Sequence, residues 1–132
     1  MSYCWAEIDL NAILFNLKQI KRIVGDKVRI MAVVKADAYG HGLEEVAKAI
    51  SSQEKVYFGV SSLEEGIRLR KAGIKVPIVD LLPPLPEDLE EMVHWDITPV
   101  LANGEVVETL AKESKKQGKI TRVHIKIDTG MG

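Results

Sequence analysis

The sequence predicts a parallel α/β fold of the barrel kind, and three observations carry that reading. Apolar, β-branched runs recur at regular intervals, segments of helical period lie between them, and the last run is apolar on one face only. The runs are "VRIMAVV" from Val28, "VYFGV" from Val56, "VPIVDLL" from Val76, "ITPVL" from Ile97 and "VHIKI" from Val123. Strand and helix alternate four times before a fifth strand, the pattern of parallel βα units with right-handed connections. Period alone does not separate a doubly wound sheet from a barrel. The fifth run favours the barrel: Val123, Ile125 and Ile127 alternate with His124, Lys126 and Asp128. A doubly wound strand is covered on both faces and reads apolar on both. A barrel strand can turn its apolar set to the helices and aim polar groups inward, near an active site.

The helices follow in order. Leu10, Ile13, Leu14, Leu17, Ile20 and Val24 make a stripe of period 3.6, and Gly25 can end it in a left-handed conformation. Leu43, Val46, Ala47 and Ile50 make a second stripe. Ser62 followed by Glu65 is a capping box, with Gly73 as the matching stop. Pro86, Glu87 and Asp88 read as a first helical turn, where proline needs no donor and carboxylates meet the positive end of the dipole. A last helix is expected from about Glu105 to Gln117, closed by Gly118.

The chain has 132 residues, enough for one domain with a buried core, and its formal charge of −1 gives no sign of a polyanionic partner such as nucleic acid. Its densest basic group, "KESKKQGK", falls at a predicted helix end and reads as a solvated face. The single cysteine, Cys4, rules out an internal disulfide and fits a reducing compartment. The first ten residues lack the pattern of a secretory signal, and no apolar run approaches the ~18 residues of a membrane span. These features lead to the expectation of a cytoplasmic globular domain.

The chemistry concentrates in "MAVVKADAYGHG", Met31 to Gly42. Lys35 follows an apolar strand and should lie at its carboxyl end, where such folds build their active sites. An apolar setting there disfavours the charged amine and leaves a nucleophile for a carbonyl, the starting condition for a Schiff base. Position alone favours an ion pair between Lys35 and a neighbour such as Asp37 over that chemistry. Tyr39 offers a phenol to a phosphate oxygen, and Gly40 and Gly42 permit close approach of the backbone, although the same residues also suit a plain turn.

The string "VVKADAYGHG" closely resembles the pyridoxal-phosphate attachment motif of alanine racemases. The likeness extends through "AEIDLNAILFNL", "FGVSSLEEGIRLR", "DIT" and "HIKIDTGMG", nearly the whole chain. It implies an amino-terminal (β/α)8 TIM-type barrel that binds pyridoxal 5'-phosphate, a following β-rich domain, and a homodimer interconverting L-alanine and D-alanine. On the same resemblance Lys35 is the cofactor-attachment lysine and one of two catalytic bases, and Tyr39 contacts the cofactor phosphate. Lys126 matches a lysine that many members carry as a carbamate, which helps to hold an arginine directly after "GMG"; an ion pair with Asp128 is the alternative. The second base, a tyrosine, comes in the family from the carboxyl-terminal domain of the other subunit. Members usually have a glycine just after the third strand where this chain reads "DLLPPLPED", so no cofactor contact is expected there. No metal is implied.

A closed (β/α)8 barrel takes roughly 250 residues. Five strand runs in 132 residues therefore correspond to the first five βα units, with the rest of the barrel and the β domain lying outside residues 1–132. By itself such a chain is expected to be inactive and self-associated, its unpaired sheet edges recruiting other chains. Competing readings are a non-catalytic pyridoxal-phosphate carrier barrel, a racemase for another amino acid, a ligand-free scaffold and, more distantly, a lysine-dependent aldolase. The "AYGHG" after the lysine favours the racemases.

Overall fold

A computed structural model describes residues 4–130 of the chain. The Asp9 carboxylate starts the first helix, accepting the backbone N–H groups of Asn11 at 2.8 Å and Ala12 at 3.2 Å. The stripe of apolar residues did not reveal that cap. Helix α1 spans Leu10–Val24 and ends as expected, with the Gly25 N–H donating to the Lys21 carbonyl at a φ of +81°. Strand β1 (Ile30–Val33) leads into a single turn, α2 (Lys35–Gly40), and then α3 (Leu43–Ile50). Strand β2 (Val56–Val60), α4 (Leu63–Lys71) and β3 (Ile78–Asp80) follow. A 3₁₀ turn at Pro86–Asp88 opens α5 (Leu89–His94). The chain continues through β4 (Ile97–Thr98), β5 (Val100–Leu101), α6 (Glu105–Lys116) and β6 (His124–Ile125).

Strands β1 to β4 form one parallel sheet in chain order. A doubly wound sheet reverses direction at a switch point, so consecutive order is the arrangement of a barrel wall. The run "ITPVL" is not one strand. Pro99 has no N–H to give to a ladder, and the run breaks there into β4, paired with β3, and β5, paired in parallel with β6. The Pro99 carbonyl still accepts the His124 N–H at 3.0 Å, so the succession of five wall segments survives the break.

The two faces of the sheet differ. Val56, Phe58, Val60, Ile78 and Ile97 are buried against Leu43, Ile50, Leu69, Leu89 and Met92 of the helices. The other face turns Tyr57, Val79, Thr98 and His124 toward an open groove of about 870 Å³. His124 lines that groove, but so does its neighbour Val123, so the groove does not separate the two faces of the last run. The run's other apolar residues do not behave as expected: Ile125 and Ile127 remain 78% and 77% exposed. Helix α6 packs mainly on α5.

One side chain locks the amino ends of β3 and β4. Arg70, half-buried on α4, donates to the carbonyls of Trp95, Ile74, Val76 and Asp96 at 2.7–3.0 Å. Burial holds its pKa below the ordinary arginine value, and the four carbonyl acceptors supply the partners that a buried guanidinium requires. Among the described residues no helix is long and apolar enough to cross a membrane.

Candidate active site

Lys35 begins α2 two residues beyond the last strand residue of β1, and is half-buried. The four residues after it are wound left-handed: Ala36, Asp37, Ala38 and Tyr39 have φ between +51° and +55° and ψ between +38° and +54°. Those are the angles of a left-handed α-helix, which costs an L-residue roughly 1–2 kcal/mol through the approach of Cβ to the carbonyl. Four such residues in succession amount to roughly 4–8 kcal/mol of local strain, which persists only if the surroundings over-determine it. Gly40 and Gly42 continue with φ of +82° and +90°. Both glycines are needed for backbone conformation, whatever approaches them.

The bonds that hold the turn come from several directions. The Ala38 N–H donates to the Val34 carbonyl at 2.8 Å, and the Gly42 N–H to the Asp37 carbonyl at 3.0 Å. Asp37 Oδ1 accepts the Leu43 N–H at 3.0 Å and so starts α3. His41 Nδ1 lies 2.9 Å from the Ala38 carbonyl and 3.2 Å from that of Tyr39, so the nitrogen facing them carries the hydrogen. His41 is a brace of the turn.

Asp37 does not pair with Lys35. Its Oδ1 lies 3.5 Å from Arg68 Nη2 on α4, and the same guanidinium grips Glu44 with two bonds of 2.9 Å. That grip lowers the Glu44 pKa, its hydrogen bond to Arg68 being the main cause. Among the described residues the Lys35 ammonium makes no hydrogen bond or ion pair, and neither does the Tyr39 hydroxyl make a hydrogen bond. Tyr39 is 60% exposed and, with Ile13, Val33, Ala38 and His41, lines an open hollow of about 370 Å³ beside the turn. The larger groove lies elsewhere. Arg29, Lys75 and Asp96, which line it, precede β1, β3 and β4 at their amino ends, away from Lys35.

Lys126 is exposed just past β6, its N–H donating to the Leu101 carbonyl at 2.9 Å. Asp128 accepts the Gly130 N–H at 2.8 Å. Met131 and Gly132 of the terminal "GMG" lie outside the described residues.

The residue that sequence reasoning misplaced is Glu65. Half of the expected capping box forms, with the Glu65 N–H donating to Ser62 Oγ at 3.2 Å. The Glu65 carboxylate does not return to Ser62. Its Oε1 accepts the Ala36 N–H at 2.7 Å, and Oε2 accepts the Ser61 N–H at 2.9 Å. The carboxylate is drawn to donors at the carboxyl ends of two neighbouring strands.

A barrel wall with a lysine at the carboxyl end of its first strand, on a strained turn braced from the next helix, defines a class of lysine-bearing α/β-barrel proteins. Within that class the chain belongs to the family "alanine racemase, N-terminal domain", which matches residues 8–132. It is 47% identical over 126 residues to alanine racemase 1 of Caldanaerobacter subterraneus subsp. tengcongensis, covering 96% of this chain and 32% of that protein. The alanine racemase structure from Clostridium difficile 630 superposes with a TM-score of 0.92 at 39% identity, covering 96% of this chain and 33% of that one. A histidine racemase from Leuconostoc mesenteroides subsp. sake has a TM-score of 0.84 at 31% identity, covering 95% of this chain and 33% of that one. The chain spans about a third of the length of the relatives it matches.

Proposed function

We propose that this chain provides the cofactor-bearing lysine of an alanine racemase. The observation that carries the reading is the Lys35 amine at the end of β1, without an anionic partner while Asp37 is engaged by Arg68. The residues suit pyridoxal 5'-phosphate: an amine free to condense with an aldehyde and, four residues on, an unpartnered phenol that lines an apolar hollow. When bound, that group supplies an electron sink for the pair left at the substrate α-carbon. Lys35 Nζ would hold the cofactor covalently at rest and, once the substrate amine takes its place there, would take or return a proton on one face of that carbon. The Tyr39 hydroxyl donates to a phosphate oxygen. The left-handed turn carries both residues on one short, strained segment. The second base, on the opposite face, and most phosphate contacts lie outside this chain in this reading, in a homodimer of longer subunits.

Lys126 is proposed as a carbamylated lysine, on the match of "KIDTGMG" and the polar alternation of the last run. An intact mass raised by one carbamate in bicarbonate supports this; an unmodified amine in protein extended to the length of its relatives rejects it.

The likeness to a histidine racemase keeps a second substrate in the test. In a protein extended to the relatives' length, L-alanine should give D-alanine, L-histidine should give far less product, and Lys35→Ala should abolish both. Equal turnover of histidine would reassign the substrate, and undiminished turnover in Lys35→Ala would remove Lys35 from the chemistry.

A further inference from the structure

The proposed role of Lys35 requires its backbone to be held, and the turn after it is intrinsically unfavourable. Two side chains from α4, Glu65 and Arg68, reach that turn. They are three residues apart and therefore lie on one face of the helix. Their contacts differ in kind. Arg68 meets Asp37 at 3.5 Å through side chains 43% and 55% exposed, a contact that solvent weakens. Glu65 takes two backbone N–H groups at 2.7 and 2.9 Å, and short charge-assisted bonds of this type are the stronger ones. The Ala36 N–H has no backbone acceptor among the described residues, so the Glu65 carboxylate is its partner.

The two bonds also have a particular placement. The Ala36 N–H belongs to the peptide that joins Lys35 to Ala36. The Ser61 N–H lies directly after β2, the strand paired with β1. One carboxylate, 29 residues away in sequence from Ala36, thus ties the peptide leaving Lys35 to the end of the neighbouring strand. The start of α4 does not depend on it, because Ser62 Oγ already accepts the Glu65 N–H.

We infer that Glu65 is a positioning residue for Lys35: its carboxylate fixes the Lys35–Ala36 peptide against Ser61 and so sets the direction in which the lysine side chain leaves the strand. The inference rests on the reading of Lys35 as the reacting amine. Glutamine at position 65 keeps one carbonyl acceptor and turns an NH₂ group toward the other donor, so it should restore part of the effect. Alanine restores none. A displacement of about 1 Å at a reacting group can cost on the order of a hundredfold.

The test treats the 132-residue chain with pyridoxal phosphate, fixes adducts with borohydride, and measures peptide masses over a pH series. Labelling at Lys35 is read against the exposed Lys112 in the same sample, and far-UV circular dichroism monitors the fold. The wild type should label Lys35 in preference to Lys112. Glu65→Ala should cut that preference by about tenfold or more with unchanged dichroism, and Glu65→Gln should fall between. No preference in the wild type would contradict the role of Lys35 itself, and the inference with it. Preference in the wild type that survives in Glu65→Ala would overturn the inference alone. If Glu65→Ala does not fold, Glu65→Gln and amide exchange in the wild type decide. Slow exchange at Ala36 supports the clamp; exchange at the rate of an unprotected peptide rejects it.

Discussion

The Arg68 guanidinium lies 3.5 Å from the Asp37 carboxylate, so the acid two residues after Lys35 is turned to α4. The same guanidinium holds Glu44, whose carboxyl titrates below its ordinary value chiefly because of the bond to Arg68. A carboxyl lowered in the folded state adds stability above its unfolded value, about 4.5, and loses it as pH falls through the folded one. Arg68→Ala should therefore lower the unfolding midpoint slightly at neutral pH. The gap should close in acid and shrink in high salt, because the pair is exposed. A gap that is unchanged after Glu44 is protonated would contradict this.

Tyr39 carries the phenol proposed for the phosphate. Tyr39→Phe should weaken pyridoxal phosphate binding by about ten- to a hundredfold, since a hydrogen bond to a charged group is worth roughly 1.5–3 kcal/mol. The ring is 60% exposed, so thermal stability should scarcely move. Unchanged cofactor affinity in a titration would remove Tyr39 from the site.

Arg70 serves four carbonyls from one planar fork, which a lysine cannot do. Arg70→Lys should destabilise the chain by on the order of 3 kcal/mol, with denaturant unfolding as the measurement. A loss below about 0.5 kcal/mol would mean that the carbonyls find water at no cost.

Sheet edges should govern association. Strand β1 ends the four-stranded sheet, and Ile120, Ile125 and Ile127 are 96%, 78% and 77% exposed near β6. Unpaired edges with apolar residues recruit further chains. Light scattering should give a mass above that of one 14.7 kDa chain, falling when Ile125 and Ile127 are changed to lysine. A clean monomer would contradict the expectation.

Helical stripes and β-branched runs made most elements readable before the structure, because both depend on local spacing. The first helix, with its Gly25 stop, and the 3₁₀ entry at Pro86 follow from such local rules. The break at Pro99 was equally local, yet a five-residue run hid it; a proline's missing N–H was the signal. Lys35 and Tyr39 could be singled out by position and by the resemblance. Their supports could not. The left-handed turn is adopted by residues with no sequence preference for it, and Glu65 reaches it from 29 positions away. Glu65 even carried a plausible local role, the capping box, that a better pair of donors displaced.

The central claim is that Lys35, among all the lysines of this chain, is the amine that takes the cofactor. Its most direct test is the mass of the chain after pyridoxal phosphate and borohydride, with and without Lys35→Ala, followed by peptide mapping. The account predicts one dominant adduct, located at Lys35 and missing from the variant. An adduct of equal yield in Lys35→Ala, or one spread evenly over the exposed lysines, would contradict it.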